Sequence, residues 1–314
     1  MSDFSVYRSL EGIPAGVGPC VAAIGNFDGV HCGHREILAA VVAEARAKNA
    51  RAIAITFDPH PEQFLFADRA PKLLTPPDER LRLLAATGLD AVLVLPFDAE
   101  LAAMPARTFV EEVLVARLGL CALHEGASFC FGRRAEAGVA ELTRWGKELG
   151  FVVHVHEAVK VRGLEVSSTA IRACVAAGDL RRARWMLGRP FAVLSTQAHG
   201  RGVGHRLVVP TVNLADYRGL LPSFGVYVTR IRIGERCFQA VTNVGNRPTF
   251  AGAGFSVESY ILDFEPVEMN EATPVALEFL YRLRGEQTWP SPEALKAQIM
   301  KDVARAERYF RLLA

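Results

Sequence analysis

Hydrophobic positions in the first half of the chain form short unbroken runs separated by stretches of helical period. Residues 20–24 are a continuous apolar run, which predicts a fully buried strand. Residues 52–57 and 91–95 repeat it, and 118–123 and 151–155 are weaker versions. Between them Ile37, Leu38, Val41, Val42 and Ala45 recur at three- and four-residue steps and predict a helix over 35–50. Further helices are predicted over 78–87 and 106–117. Short apolar strands alternating with helices predict an α/β domain with a parallel sheet covered on both faces. Ligands of such sheets sit beyond the carboxyl ends of the strands.

After Gly188-Arg189-Pro190 the pattern changes. Strands are predicted over 191–195, 225–233, 238–244, 257–262 and 275–283, with Gly234-Glu235 as a hairpin turn. In the last of these Val275, Leu277, Phe279, Tyr281 and Leu283 fall on one face, Glu278 and Arg282 on the other. Strands without intervening helices predict an antiparallel β-barrel. A closing helix follows, with Ser291 as cap, Pro292 in the first turn, and Leu295, Ile299, Val303 and Tyr309 or Phe310 as its apolar stripe. The boundary is expected near Leu187, giving domains 1–187 and 188–314.

The candidate chemistry begins where the first buried run ends. Gly25, Asn26 and Gly29 signal a turn. His31 and His34, with Gly33 between them, then sit where a strand hands over to a helix N-terminus. Such a terminus attracts anions, because backbone N–H groups and the positive end of the helix dipole point at the ligand. Gly33 removes a side chain where a phosphate must approach closely. Further along, 57–61 (FDPHP) stiffens a loop at the same sheet edge, although, taken alone, a plain rigid turn is the better account of it. Residues 166–172 (VSSTAIR) carry a helix-cap signal. The Arg133-Arg134 pair and the arginines at 181, 182 and 184 are expected to be solvated. Residues 199–213 (HGRGVGHRLVVPTVN) form a glycine-rich stretch whose backbone could wrap a phosphate. Thr211 and Asn213 offer neutral oxygens suited to Mg²⁺.

Together these segments resemble the prokaryotic bifunctional riboflavin kinase/FAD synthetase family. The run AIGNFDGVHCGH is similar to its HxGH nucleotidyltransferase signature, and the resemblance extends over nearly the whole chain. It implies that a Rossmann-like N-terminal domain adenylylates FMN to FAD and a C-terminal barrel phosphorylates riboflavin to FMN. It implies His31 and His34 as catalytic groups on the phosphates, with Gly25, Asn26, Phe27, Asp28 and Gly33 around ATP. It implies Ser167, Ser168, Thr169 and Arg172 as a second triphosphate-binding element, and Pro59, His60 and Ser128 beside the flavin. Ser128 departs from the family, which usually has Asn or Asp there. In the second domain it implies Gly200, Gly202, Gly204, Pro210, Thr211 and Asn213 on ATP, with Thr211 and Asn213 also on Mg²⁺. Asn243 and Arg247 would contact flavin, and Glu258 would be the general base. Val208-Val209 stands where the family usually has Gly-Phe.

Composition narrows the picture further. The 314 residues suggest about two domains, and half are hydrophobic. A net charge of +2 gives no nucleic-acid signal. The six cysteines form no CxxC pair, so neither a zinc knuckle nor a disulfide framework is expected. No signal peptide or membrane span is evident, so a cytoplasmic protein is expected, and nothing indicates an oligomer. The expected partners are riboflavin, FMN, FAD and ATP. Two alternatives stay open: a riboflavin kinase whose adenylyltransferase module is impaired, and a flavin-sensing protein without catalysis. HxGH alone would also suit a cytidylyltransferase, which would leave the second half without a task.

Overall fold

The computed structural model describes residues 4–14, 17–196, 211–214, 217, 219–249, 252–267 and 273–313, with backbone only for 246–249 and 252–255. By compactness the chain divides into residues 1–71 with 75–167, and residues 72–74 with 168–314.

The first unit holds a six-stranded parallel sheet. Its strands are β1 (Ser5–Tyr7), β2 (Cys20–Ile24), β3 (Arg51–Asp58), β4 (Ala91–Pro96), β5 (Leu120–Gly126) and β6 (Val152–His156), in the order β1-β4-β3-β2-β5-β6. Every residue of β2 is buried, because both faces of the sheet are covered. Cys20, Ala22 and Ile24 pack with Phe109, Val110, Val113, Leu114 and Leu142 on one face. Val21 and Ala23 pack with Leu38, Val41 and Ala45 on the other. Those last three lie on α1 (Cys32–Ala47); α2 (Pro77–Ala85) and α3 (Val139–Leu149) also flank the sheet. Leu38 is fully buried, and truncating such a side chain to Ala costs about 2–5 kcal/mol.

Three features differ from the sequence expectation. Helix α1 starts three residues before position 35, because its first turn is set by a cap and carries no apolar stripe. Residues 106–117 are helical, but Phe109–Arg117 is π-wound, and Leu118 N–H reaches five residues back to the Val113 carbonyl at 3.2 Å. Strand β1 and helix α3 were not expected; the first is too short for a periodic signal.

The second unit opens with α4 (Ser168–Ala176) and α5 (Leu180–Leu187), which is capped by Asp179. Arg181, Arg182 and Arg184 are exposed on it, as expected. An antiparallel six-stranded sheet follows: β7 (Phe191–Thr196), β8 (Thr211–Asn213), β9 (Gly225–Ile233), β10 (Arg236–Thr249), β11 (Gly252–Ile261) and β12 (Pro274–Gly285). Its order is β7-β12-β9-β10-β11-β8, and it curls into a half-barrel. Inside it, the hydroxyls of Thr229, Thr242 and Ser259 are buried in a row, 2.7 and 2.8 Å apart.

The last strand corrects the alternation expected for it. Two register shifts against β9 pass over Leu280 and Leu283. Each shift reverses the phase of the side chains. Leu280 and Leu283 therefore join Val226 and Val228 beneath α6 (Pro292–Arg311), while Tyr281 is 46% exposed. On α6 the buried face is Asp302, Val303, Ala306 and Phe310; Leu295 and Ile299, expected in the stripe, are exposed. Among the described residues no helix is long and apolar enough to cross a membrane.

Candidate active sites

In the first unit the central strand β2 runs directly into a tightly held loop. Gly25 N–H donates to the Ile55 carbonyl at 2.9 Å. The backbone then turns through positive φ at Phe27 (47°), Gly29 (85°) and Val30 (37°). Two buried side chains from outside the loop fasten it. Thr75 donates its N–H to Asp28 Oδ1 at 3.1 Å, and its hydroxyl accepts from Gly29 N–H at 3.1 Å. Arg80 donates to the carbonyls of Asn26 and Phe57 at 3.0 and 2.9 Å.

The loop delivers His31 to the head of α1. His31 Nδ1 accepts from the His34 backbone N–H at 3.2 Å and caps the helix. An accepting Nδ1 puts the proton of a neutral His31 ring on Nε2. The His31 and His34 rings stack with centroids 3.5 Å apart and planes 16° apart, and Phe27 meets His34 edge-on at 5.2 Å. Gly33 makes room for this stack: a Cβ there would lie 3.3 Å from His31 Cε1 and Nδ1.

Burial sets the electrostatics. It pushes the His34 pKa well below the usual histidine range, and neighbouring His31 adds to the effect. Burial also lowers Arg80, against the opposing pull of Asp58 and Asp28. Among the described residues, His34 Nδ1 and Arg80 Nε are buried without a hydrogen-bond partner. Beneath the loop, Glu125 on β5 is buried and accepts from Ile24 N–H at 2.6 Å, and burial raises its pKa well above the carboxylate range. Burial therefore favours the neutral form of the His34 ring.

In the second unit the register of three strands assembles another polar group. Asn213 on β8 is paired with Glu258 on β11, and Glu258 is paired on its other side with Asn243 on β10. Directly opposed residues point to the same face, and Thr211, two residues from Asn213, joins them. Glu258 and Asn243 are exposed, and Glu258 Oε1 accepts from the Ser256 hydroxyl at 2.8 Å.

The family model described as FAD synthetase matches residues 14–170, and that described as riboflavin kinase matches residues 187–310. The bifunctional riboflavin kinase/FMN adenylyltransferase of Escherichia coli (strain K12) is 36% identical, covering 93% of each chain. The protein of the same description from Pseudomonas fluorescens is 38% identical over 91% of this chain and 92% of its own. The chain belongs to the bifunctional riboflavin kinase/FMN adenylyltransferase family. A crystal structure named as a macrolide-efflux protein from Streptococcus pneumoniae shares the fold, with a TM-score of 0.85 at 24% identity over 97% of this chain and 98% of that one.

Within this family frame, the first unit brings together Gly25, Asn26, Phe27, Asp28, His31, Gly33 and His34. His60 is buried and caps the short helix Pro61–Leu65 by accepting from Glu62 N–H at 3.2 Å; Pro59 is exposed beside it. Ser128 is exposed in the turn after β5, next to the stacked rings of Phe129 and Phe131. Ser167 ends the first unit. Ser168, Thr169 and Arg172 belong to the second, where Arg172 donates to the Thr169 hydroxyl at 3.3 Å. Gly200, Gly202, Gly204 and Pro210 lie outside the described residues, and Arg247 is described only as part of β10.

Sequence reasoning missed Thr75, Arg80 and Glu125. Only Glu125 left a signal, a carboxylate beside His124 at the end of an apolar run.

Proposed function

We propose that this chain makes both flavin cofactors in sequence: the C-terminal domain phosphorylates riboflavin with ATP to give FMN, and the N-terminal domain transfers AMP from ATP to FMN. In the second reaction an FMN phosphate oxygen bonds to the α-phosphorus. The bond from the α-phosphorus to the bridging oxygen breaks, and pyrophosphate leaves. No nucleophilic side chain is required, so catalysis rests on positioning and charge stabilisation. The observation that carries this reading is the stacked His31–His34 pair at the head of α1, directly beyond the central strand. His31 and His34 contact the phosphates, and approach of the triphosphate raises their affinity for protons as charge builds on its oxygens. Gly25, Asn26, Phe27, Asp28 and Gly33 shape the wall against which ATP lies, and Ser167, Ser168, Thr169 and Arg172 supply further donors to it. Pro59, His60 and Ser128 line the flavin side.

In the kinase reaction Glu258 takes the proton of the ribityl 5′-hydroxyl as that oxygen bonds to the γ-phosphorus; the bond from the γ-phosphorus to the bridging oxygen breaks, and ADP leaves. Gly200, Gly202, Gly204 and Pro210 enclose the phosphates, and Asn243 and Arg247 lie by the flavin. The side-chain oxygens of Thr211 and Asn213, on one face of a strand, are hard neutral donors of the kind Mg²⁺ accepts. Mg²⁺ held there would neutralise phosphate charge. We assign residues 1–187 to adenylyl transfer and 188–314 to the kinase. The reading includes a cytoplasmic setting, in which the free cysteines among the described residues would stay reduced.

Incubation with riboflavin, ATP and Mg²⁺, followed by separation of the flavins, tests the reading. FMN appearing first and FAD after it is the expected result. FMN alone would leave a kinase with an inactive first unit, and flavin binding without ATP turnover would leave a sensor.

A further inference from the structure

Three histidines and a glutamate converge on the α1 face of the parallel sheet. Strands β5 and β6 pair His124 with His154 and Gly126 with His156. Alternate residues of a strand share a face, so His154 and His156 lie on the same side. Their rings cluster: the His124 centroid is 4.6 Å from that of His154 and 5.2 Å from that of His156. Helix α1 lowers Glu44 onto them. Its Oε2 lies 2.6 Å from His124 Nε2 and 3.1 Å from His154 Nε2, while Lys48 Nζ holds Oε1 at 2.8 Å. Behind, His124 Nδ1 is 2.9 Å from His156 Nε2.

We propose that Glu44, His124 and His154 bind a divalent transition-metal ion of the zinc class, with His156 orienting His124. Their ligand atoms all lie within 4.8 Å of one another. Two imidazoles and a carboxylate are borderline donors that favour Zn²⁺ or Co²⁺ over Mg²⁺, and three protein ligands leave a position for water. A hydrogen bond to Glu44 explains the buried His124. It does not explain a second imidazole, with 43% of its side chain exposed, aimed at the same carboxylate, 3.1 Å from Oε2 and 3.3 Å from Oε1.

The tautomers are arranged for the exchange. Without metal, His124 Nε2–H donates to Glu44, and its Nδ1 accepts from His156 Nε2–H. With metal, His124 Nε2 turns its lone pair to the ion. The His124 Nε2 proton departs, His124 Nδ1 takes the His156 Nε2 proton and donates it back as a hydrogen bond, and His156 Nδ1 gains a proton from water. No net proton is released at this pair. A metal-bound histidine steadied through its other ring nitrogen is the usual way such ligands are oriented. Glu44 lies ten residues past His34, about 15 Å along the helix, so the ion does not touch the phosphates. It would instead bind α1 to β5 and β6.

The test uses tag-free full-length protein stripped with a chelator. Zn²⁺ alone is titrated by calorimetry and by thermal unfolding, and Co²⁺ alone is followed by visible absorption. Expected are one ion bound at micromolar or tighter affinity, a rise in Tm on adding Zn²⁺, and the intense absorption of four-coordinate Co²⁺. His154→Ala and Glu44→Gln should lose this binding and its rise in Tm while still unfolding cooperatively without metal. His156→Ala should weaken binding by about 10–100-fold. A Cys130→Ser/Cys237→Ser double variant should bind as the parent does. Affinity no tighter than millimolar, or unchanged Zn²⁺ binding in both His154→Ala and Glu44→Gln, would overturn the proposal.

Discussion

Glu258 stands directly opposite Asn213 in the antiparallel pairing of β11 with β8. The carboxylate is thereby brought to the same face as two neutral oxygen donors, Thr211 and Asn213, which are separated by one residue. Replacing Glu258 by Ala is expected to lower FMN formation from riboflavin by about 10²–10⁴-fold, the range for loss of a positioned general base. FAD formation from supplied FMN should be unchanged. The two steps are read by chromatography with each flavin offered separately, and loss of both from a folded variant would refute the division of labour.

The reverse separation is expected at the other site. His31→Ala should abolish FAD formation while sparing the kinase step. Gly33→Ala is a gentler probe, because the added Cβ would press on the His31 ring at 3.3 Å. The ring must give by a few tenths of an ångström, and since a displacement of about 1 Å costs about 10²-fold in rate, FAD formation should fall by less than that, with FMN formation intact. An alanine variant with parental FAD output would mean the stacking of the rings is incidental.

Glu125 gives a pH prediction. Its pKa is raised by burial, so the folded state retains a proton that the unfolded chain releases. Between the ordinary carboxylate range and the raised value the folded state binds more protons, and stability falls as pH rises through that window. Glu125→Gln keeps an acceptor for Ile24 N–H and removes the ionisation. It should be more stable than the parent at neutral pH, and its stability should not decline across the window. Urea unfolding over a pH series measures this; a slope equal to the parent's would contradict it.

Thr75→Val tests the fastening of the loop. Valine keeps the shape and the backbone N–H bond to Asp28, but Gly29 N–H loses its acceptor. A buried donor left unsatisfied costs about 1–3 kcal/mol. The expected result is that loss in chemical denaturation, with a raised KM for ATP in the adenylyl step alone. An unaltered KM would separate the fastening from the nucleotide site.

What could be read from the sequence divides along physical lines. The strands of the parallel sheet were legible because residues such as Val21 and Ala22 must be apolar on both faces. The HxGH loop was legible because its glycines and histidines have few other uses in that order. The first turn of α1 was not, since a capping imidazole has no period. Tyr281 was misplaced because a register shift is invisible to a rule of strict alternation. Thr75 and Arg80 lie 46 and 54 residues from the Gly29 and Asn26 backbone they hold, and nothing local marks such a long-range bond. The cluster around Glu44 escaped notice for the same reason: its members are unremarkable until the sheet aligns them.

The buried hydroxyls of the half-barrel carry a direction. Where Thr229 gives its proton to the Ala240 carbonyl, 3.3 Å away, it accepts from Thr242, which in turn accepts from Ser259. The dipoles therefore run one way, from β11 through β10 to β9, with their polarity fixed at the far end by a single carbonyl. The strand that bears Glu258 on its outer face is keyed to its neighbours from within by an ordered relay, and a valine at Thr229 would leave that relay without its terminus.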